Sequence, residues 1–175
     1  MEKTAILYAP AKGSTERVAR LLHEKIGTQK SDLILVEEST EATIIEPYKK
    51  LIFGISTVGR ETWDSKYKKI GWDFFISKIE KVSFEGKTVA IFGLGDHILY
   101  SDNFVDSMGS LARQLVNSGA SLVGQTPTEG YTFSDSDALE DDIFVGLPID
   151  EDNQSEFTEK RLDGWLKIIS KQMGL

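Results

Sequence analysis

Gly93-Leu94-Gly95-Asp96-His97-Ile98-Leu99-Tyr100-Ser101-Asp102-Asn103-Phe104 gathers two glycines, a carboxylate, a tyrosine and an amide into one short stretch. The glycines let backbone approach a ligand closely, and Tyr100 offers a flat apolar face with a polar tip. Asp96 and Asn103 can serve a ring edge that carries both donors and acceptors. This chemistry suits a planar heterocycle better than a hydrolytic substrate. The apolar run Thr88–Phe92 just before it reads as a buried strand. A loop at the C-terminal end of a parallel strand is where open α/β sheets bind ligands.

A second stretch, Tyr8-Ala9-Pro10-Ala11-Lys12-Gly13-Ser14-Thr15-Glu16, joins an apolar run to a helical pattern. Strand, glycine-containing turn and helix start together form an anion site, because unpaired N–H groups and the positive end of the helix dipole converge there. Ser14 and Thr15 add hydroxyl donors. The plainer reading of Ser14 is a helix cap, with Glu16 and Arg17 as ordinary first-turn residues.

The elements that position these loops follow from periodicity. Apolar runs at Thr4–Ala9, Leu33–Val36, Leu51–Ser56 and Thr88–Phe92, and a fifth split between Ser121–Gly124 and Phe144–Ile149, predict strands. Helical spacing links Val18, Leu21, Leu22 and Ile26; Trp72, Phe75, Ile76 and Ile79; Val105, Met108, Leu111, Ala112 and Leu115; and Leu162, Trp165, Leu166 and Ile169. Strands alternating with helices predict right-handed βαβ units around a parallel sheet. Gln125–Asp142, with Pro127, Gly130 and several acidic residues, interrupts the fifth strand and reads as a polar excursion over the surface. Its Asp135-Ser136-Asp137 lacks the glycine and closing glutamate of a calcium loop.

A chain of 175 residues with 40 % hydrophobic content predicts one domain spanning 1–175. The absence of cysteine excludes disulfides, thiolate metal sites and thiol catalysis. No signal-peptide pattern opens the chain and no apolar run is long enough to span a bilayer, so the expected location is cytoplasmic. A net charge of −8 disfavours nucleic acid and anionic membranes, and on its own reads as an aid to solubility. No Ser/His/Asp spacing or His-x-x-x-His pair offers a catalytic constellation, so no catalytic or metal-ligating residues are expected.

In its Gly93–Phe104 segment the chain resembles the flavodoxins of the long-chain type, whose loop reads Gly-x-Gly-Asp-x-x-x-Tyr-x-Asp-Asn-Phe. The resemblance continues through Gly124, Gly130-Tyr131-x-Phe133, Ser136, Ala138-Leu139, Phe144-Val145-Gly146-Leu147 and Asp150-Glu151-Asp152-Asn153-Gln154. It implies a doubly wound five-stranded parallel sheet of order 2-1-3-4-5, with an insertion splitting the fifth strand. It also implies a monomeric FMN-binding, low-potential one-electron carrier that works between an NAD(P)H-dependent flavodoxin reductase and acceptor enzymes. With this resemblance the net charge of −8 reads instead as steering toward basic surfaces on partner proteins.

The resemblance further assigns FMN contacts. The phosphate falls to Pro10, Ala11, Lys12, Gly13, Ser14 and Thr15, and the ring to Ser56, Thr57, Val58, Gly59, Gly93, Leu94, Gly95, Asp96, Tyr100, Asn103 and Phe104. Asp152 is placed at the ribityl chain. The family writes its phosphate loop Ser/Thr-x-Thr-Gly-x-Thr, so Pro10 and Lys12 stand where hydroxyl residues are usual. An ammonium neutralises a phosphate dianion as hydroxyls cannot. Val58 stands where a tryptophan often covers the ring, with Trp63 as a possible substitute. Gly59 permits a peptide flip that meets N5–H of the half-reduced ring. Asp96 opposes the negative charge of the fully reduced ring, and protonation of His97 could couple to that charge. Two other readings are an FMN-dependent quinone or nitro reductase of the same fold, and a binding module without cofactor, motivated by Pro10, Lys12 and Val58.

Overall fold

Strand β1 (Thr4–Tyr8) sends Ala5 and Leu7 to one face of a sheet and Ile6 and Tyr8 to the other, all fully or almost fully buried. This period of two, with both faces apolar, marks a parallel strand covered by helices on both sides. The same division runs through β3 (Lys50–Ser56) and β4 (Thr88–Leu94). Leu51, Phe53, Ile55, Val89 and Ile91 face one way, and Ile52, Ala90, Phe92 and Leu94 the other. The computed structural model describes residues 2–57 and 71–175.

Strand β2 (Ser31–Leu35) begins two residues before its apolar run, because the sheet edge pairs backbone whatever the side chain. Parallel pairing gives the order β2-β1-β3-β4-β5, with β5 at Ser121–Val123. Helices α2 (Gly71–Ile79) and α3 (Asp106–Asn117) cover the first face through Trp72, Phe75, Ile79, Met108, Leu111 and Leu115. On the second face, α1 (Ser14–Ile26) and α4 (Thr158–Met173) pack Val18, Leu22, Leu162, Trp165 and Ile169. Among the described residues no helix is long and apolar enough to cross a membrane.

The split fifth strand is present, with a changed boundary. β5 pairs with Thr88–Ala90, and the returning strand pairs with Phe92–Leu94 through Leu147–Ile149 alone. Phe144 belongs instead to a small antiparallel hairpin, in which Leu139–Glu140 (β6) pairs with Ile143–Phe144 (β7); Leu147–Ile149 is β8. The insertion is polar in composition but is not a loose excursion. Its Tyr131 and Phe133 stack with Phe104 and Phe144 at centroid distances of 5.2–5.9 Å, a cluster whose stacking reinforces area burial. Thr126, Ser136 and Ala138 are buried beside them.

Candidate functional site

Register brings the C-terminal ends of β1, β3, β4 and β8 to one edge, with Tyr8 beside Gly54, Ser56 beside Leu94 and Leu94 beside Ile149. The strand order reverses at β1, the position where open α/β sheets leave a crevice. A cavity of about 230 Å³ lies there, lined by Pro10, Ser14, Thr15, Ser56, Leu94, Gly95, Glu151 and Asp152. Four separate segments therefore meet around one opening.

At one wall, α1 starts at Ser14 with Gly13 as its N-cap, and no side chain caps its first N–H groups. Ser14 is thus the first helical residue and not the cap. The Gly13 backbone is extended, and a Cβ there would meet nothing within 4 Å, so the first turn faces open space. The left-handed residue of the loop is Lys12, at φ 62°. Its N–H donates to the Glu16 carboxylate at 2.6 Å. That bond, with the Arg20 guanidinium, holds the Glu16 carboxyl below its ordinary value. Among the described residues no carboxylate lies within ion-pair distance of the Lys12 ammonium. An uncapped helix start beside an unpaired ammonium can bind a dianion.

The opposite wall is acidic. Glu151 is nearly buried and pairs with Arg17 of α1 and the Thr158 hydroxyl. Asp152 has its carboxyl pushed above the ordinary value by burial, then by the negative charges of Asp150 and Asp96. Asp150 is fully buried, and burial alone would raise its carboxyl. The Asn153 side chain and backbone and the His97 donors outweigh burial and hold it below the ordinary value.

Between the walls, the backbone of Thr57 and Gly95 extends the sheet ladder, bonding to Leu94 O and Ile149 O at 3.1 Å each. Asp96 then turns the chain: its Oδ1 accepts from Ile98 N at 3.0 Å, Leu99 N at 2.7 Å and Asn153 Nδ2 at 2.8 Å. The turn leaves Ile98, Leu99 and Tyr100 exposed at 62 %, 71 % and 37 %.

Not every anticipated residue reaches the cavity. Gly93 and Leu94 are strand rather than turn; Leu94 still lines the cavity, whereas a Cβ on Gly93 would sit 3.0 Å from Met108 of α3, so this glycine serves helix packing. Phe104 is fully buried in the aromatic cluster that backs the loop. Asn103 spends its side-chain amide on Asp106 at 3.0 Å. The Thr57 hydroxyl accepts from Ser107 N at 3.3 Å. Ala11, Lys12 and Gly13 are exposed beside the opening, and Asp96 and Tyr100 follow its Gly95 wall. Val58, Gly59 and Trp63 lie outside the described residues. Glu151 was not anticipated as a lining residue; its place in the Asp150–Gln154 run was the available signal.

Known proteins match this arrangement. The Flavodoxin family pattern matches residues 6–165. A flavodoxin of Nostoc sp. is 37 % identical over 99 % of both chains. Flavodoxin 1 of Escherichia coli is 36 % identical over 100 % of this chain and 97 % of its own. Fusobacterium nucleatum flavodoxin bound to flavin mononucleotide superposes with a TM-score of 0.86 at 26 % identity, covering 98 % of this chain and 99 % of that one. A lysine-to-glycine variant of that protein, also bound to flavin mononucleotide, gives the same TM-score. With sheet order, cleft and sequence in agreement, this chain belongs to the flavodoxin family.

Proposed function

We propose that the chain binds FMN in the cleft at the C-terminal ends of β1, β3, β4 and β8 and carries single electrons between redox proteins. The observation that carries this reading is the cavity that joins an uncapped helix start to the Gly95–Tyr100 turn. In this reading the first-turn N–H groups of α1, with the Ser14 and Thr15 hydroxyls and the Lys12 ammonium, hold the phosphate. Asp152 meets the ribityl chain, and the Gly95–Tyr100 backbone and Tyr100 ring meet the isoalloxazine. FMN, when bound, supplies the redox chemistry. The carboxylates of Asp96, Asp150 and Asp152 disfavour added negative charge near the ring, which suits a low-potential donor.

The partners in this reading are an NAD(P)H-dependent flavodoxin reductase and acceptor enzymes, met by the protein as a monomer. Support comes from the exposed Ile98, Leu99 and Tyr100 beside the cavity and the net charge of −8, which suit a partner with an apolar centre and a basic rim. The relatives described above are named flavodoxins and lend no support to the reductase or cofactor-free readings.

Titration of the FMN-free protein with FMN, FAD and riboflavin tests the reading. One FMN per chain, bound well above FAD, is expected. FAD binding as tightly as FMN would overturn the phosphate placement, and a protein that takes up no flavin would overturn the function. Steady-state NAD(P)H oxidation by the purified protein alone would favour the reductase.

A further inference from the structure

His97 is the one residue of the Gly95–Tyr100 turn whose role the electron-carrier reading does not absorb. Hydropathy is inverted there: the polar His97 is 3 % exposed while Ile98 and Leu99 stand in solvent. Its Nδ1–H donates to the Asp150 carboxylate, which is fully buried. The same Asp150 oxygen accepts from His97 N at 3.0 Å and from Asn153 Nδ2 at 2.9 Å. Its other oxygen accepts from Asp152 N at 3.0 Å and Asn153 N at 2.8 Å. Asn153 Nδ2 also reaches Asp96 Oδ1, the atom that shapes the turn.

The imidazole is wedged edge-on against Phe104 and Tyr131, at centroid distances of 5.9 and 5.8 Å. Gln154 Nε2 lies 3.5 Å from His97 Nε2 and donates to Gly130 O at 2.9 Å, while Gln154 Oε1 accepts from Arg161. One side chain thus touches the ring-side turn, the Asp150–Gln154 segment and the insertion. Burying such a pair costs desolvation that an apolar residue would avoid, and the return is a fixed geometry.

We propose that His97, locked on Asp150, is a positioning residue for the redox site: it fixes the Asp96 carboxylate beside the ring and so keeps the second reduction step at low potential. This rests on the reading that the ring lies against the Gly95–Tyr100 turn. The ionisable groups around His97 are Asp96 beside it on its own turn, Asp150 and Tyr131 in direct contact, Asp152 linked to it through Asp150, and Arg161 of α4 linked to it through Gln154. Of these, Asp96, Asp150 and Asp152 bring negative charge to the cavity side. Losing the wedge lets the Asp96 turn relax toward water, where its carboxylate is screened from the ring. Only an interaction that differs between redox states moves a potential, so this effect is separate from any loss of fold stability.

The test uses His97→Leu, His97→Gln and Asn153→Ala in the FMN-loaded protein, with anaerobic redox titration. In His97→Leu the ratio of fully reduced to half-reduced affinity for FMN should rise about tenfold, a second-step midpoint about 59 mV higher. His97→Gln, whose amide can still donate to Asp150, should restore most of the wild-type midpoint. Asn153→Ala, which cuts only the Asp96–Asp150 bridge, should move it the same way as His97→Leu, and serves if His97→Leu does not fold. Amide NMR resonances of Ile98 and Leu99 in the FMN-free variants should shift with it. Unchanged midpoints and unchanged Ile98 and Leu99 resonances would overturn the proposal while leaving FMN binding intact. A wild-type protein that binds no FMN would overturn the underlying reading and the proposal with it.

Discussion

The indole N–H of Trp165 donates to the carbonyl of Gly124 at 2.7 Å, tying the last helix to the residue where β5 leaves the sheet. Gly124 sits at φ +84°, and a Cβ there would lie 2.7 Å from Trp165 Nε1 and 2.8 Å from Ile169 Cγ2. Gly124→Ala should therefore lose ~2–3 kcal/mol through backbone strain and overpacking. Trp165→Phe should lose ~2–3 kcal/mol through a small cavity and an unsatisfied carbonyl. Urea unfolding checks both. Because the residues touch, the double variant should lose less than the sum.

Lys12 separates two effects in one residue. At φ 62° a lysine is strained, and glycine is not. Lys12→Gly should make the FMN-free protein more stable by ~1 kcal/mol, yet weaken FMN by ~1.5–3 kcal/mol through loss of the ammonium. Riboflavin, which has no phosphate, should lose far less. Equal losses for both ligands would show that Lys12 acts through loop shape and not charge.

Much of this site was legible beforehand because the responsible signals are local. Strand–turn–helix punctuation located the Ser14–Thr15 helix start, and the Gly95-Asp96 pair located the turn over the cavity. What escaped depends on distant partners. Glu151 reads only as one member of the Asp150–Gln154 run until Arg17 and Thr158 close on it from two helices. His97 reads as a titratable neighbour of the ring, and only the fold shows Asp150 drawing it inward and leaving its apolar neighbours outside. Gly93 and Phe104 belong to a ligand loop by motif, yet helix α3 and the insertion claim them for packing.

The Arg17–Glu151 pair predicts an electrostatic cost in the cavity. Glu151 lines the same opening as Ser14 and Thr15, and Arg17 offsets its charge. Arg17→Ala should expose an incoming phosphate dianion to an uncompensated carboxylate and weaken FMN by ~1–2 kcal/mol, more at low salt than at high. Arg17→Ala combined with Glu151→Gln should recover most of that affinity in a fluorescence titration.

Two neighbouring carboxyls should respond to pH with opposite sign. Asp150 is held below its ordinary value of 3.8, so its stabilising contribution is complete above that value and is lost as pH falls through the folded one. Asp150→Asn should cost ~3 kcal/mol at neutral pH, with the gap to wild type closing in acid. Asp152 is held above its ordinary value, so its ionisation opposes folding, and stability is lost as pH rises through the folded value. Asp152→Asn should gain stability at neutral pH, by no more than ~0.5 kcal/mol given solvent screening, and the gain should vanish in acid. Urea midpoints measured from neutral pH into acid read both.

The divided edge strand gives the protein a hinge in its cooperativity. β5 and β8 lie end to end along β4 without sharing a chain segment, β5 on Thr88–Ala90 and β8 on Phe92–Leu94. An edge made of one strand peels as a unit, whereas the two halves of this one can open independently. Native-state hydrogen exchange should resolve two families of amides. Those bonded between β4 and β8, where the β8 residues are all buried, with the Gly95 amide beyond them, should exchange more slowly and be protected further by bound flavin. Those between β4 and β5, where the β5 residues are exposed or half-buried, should exchange through a lower-energy local opening that flavin leaves unchanged. The insertion thereby separates the binding end of the edge, in its stability, from the exposed far end.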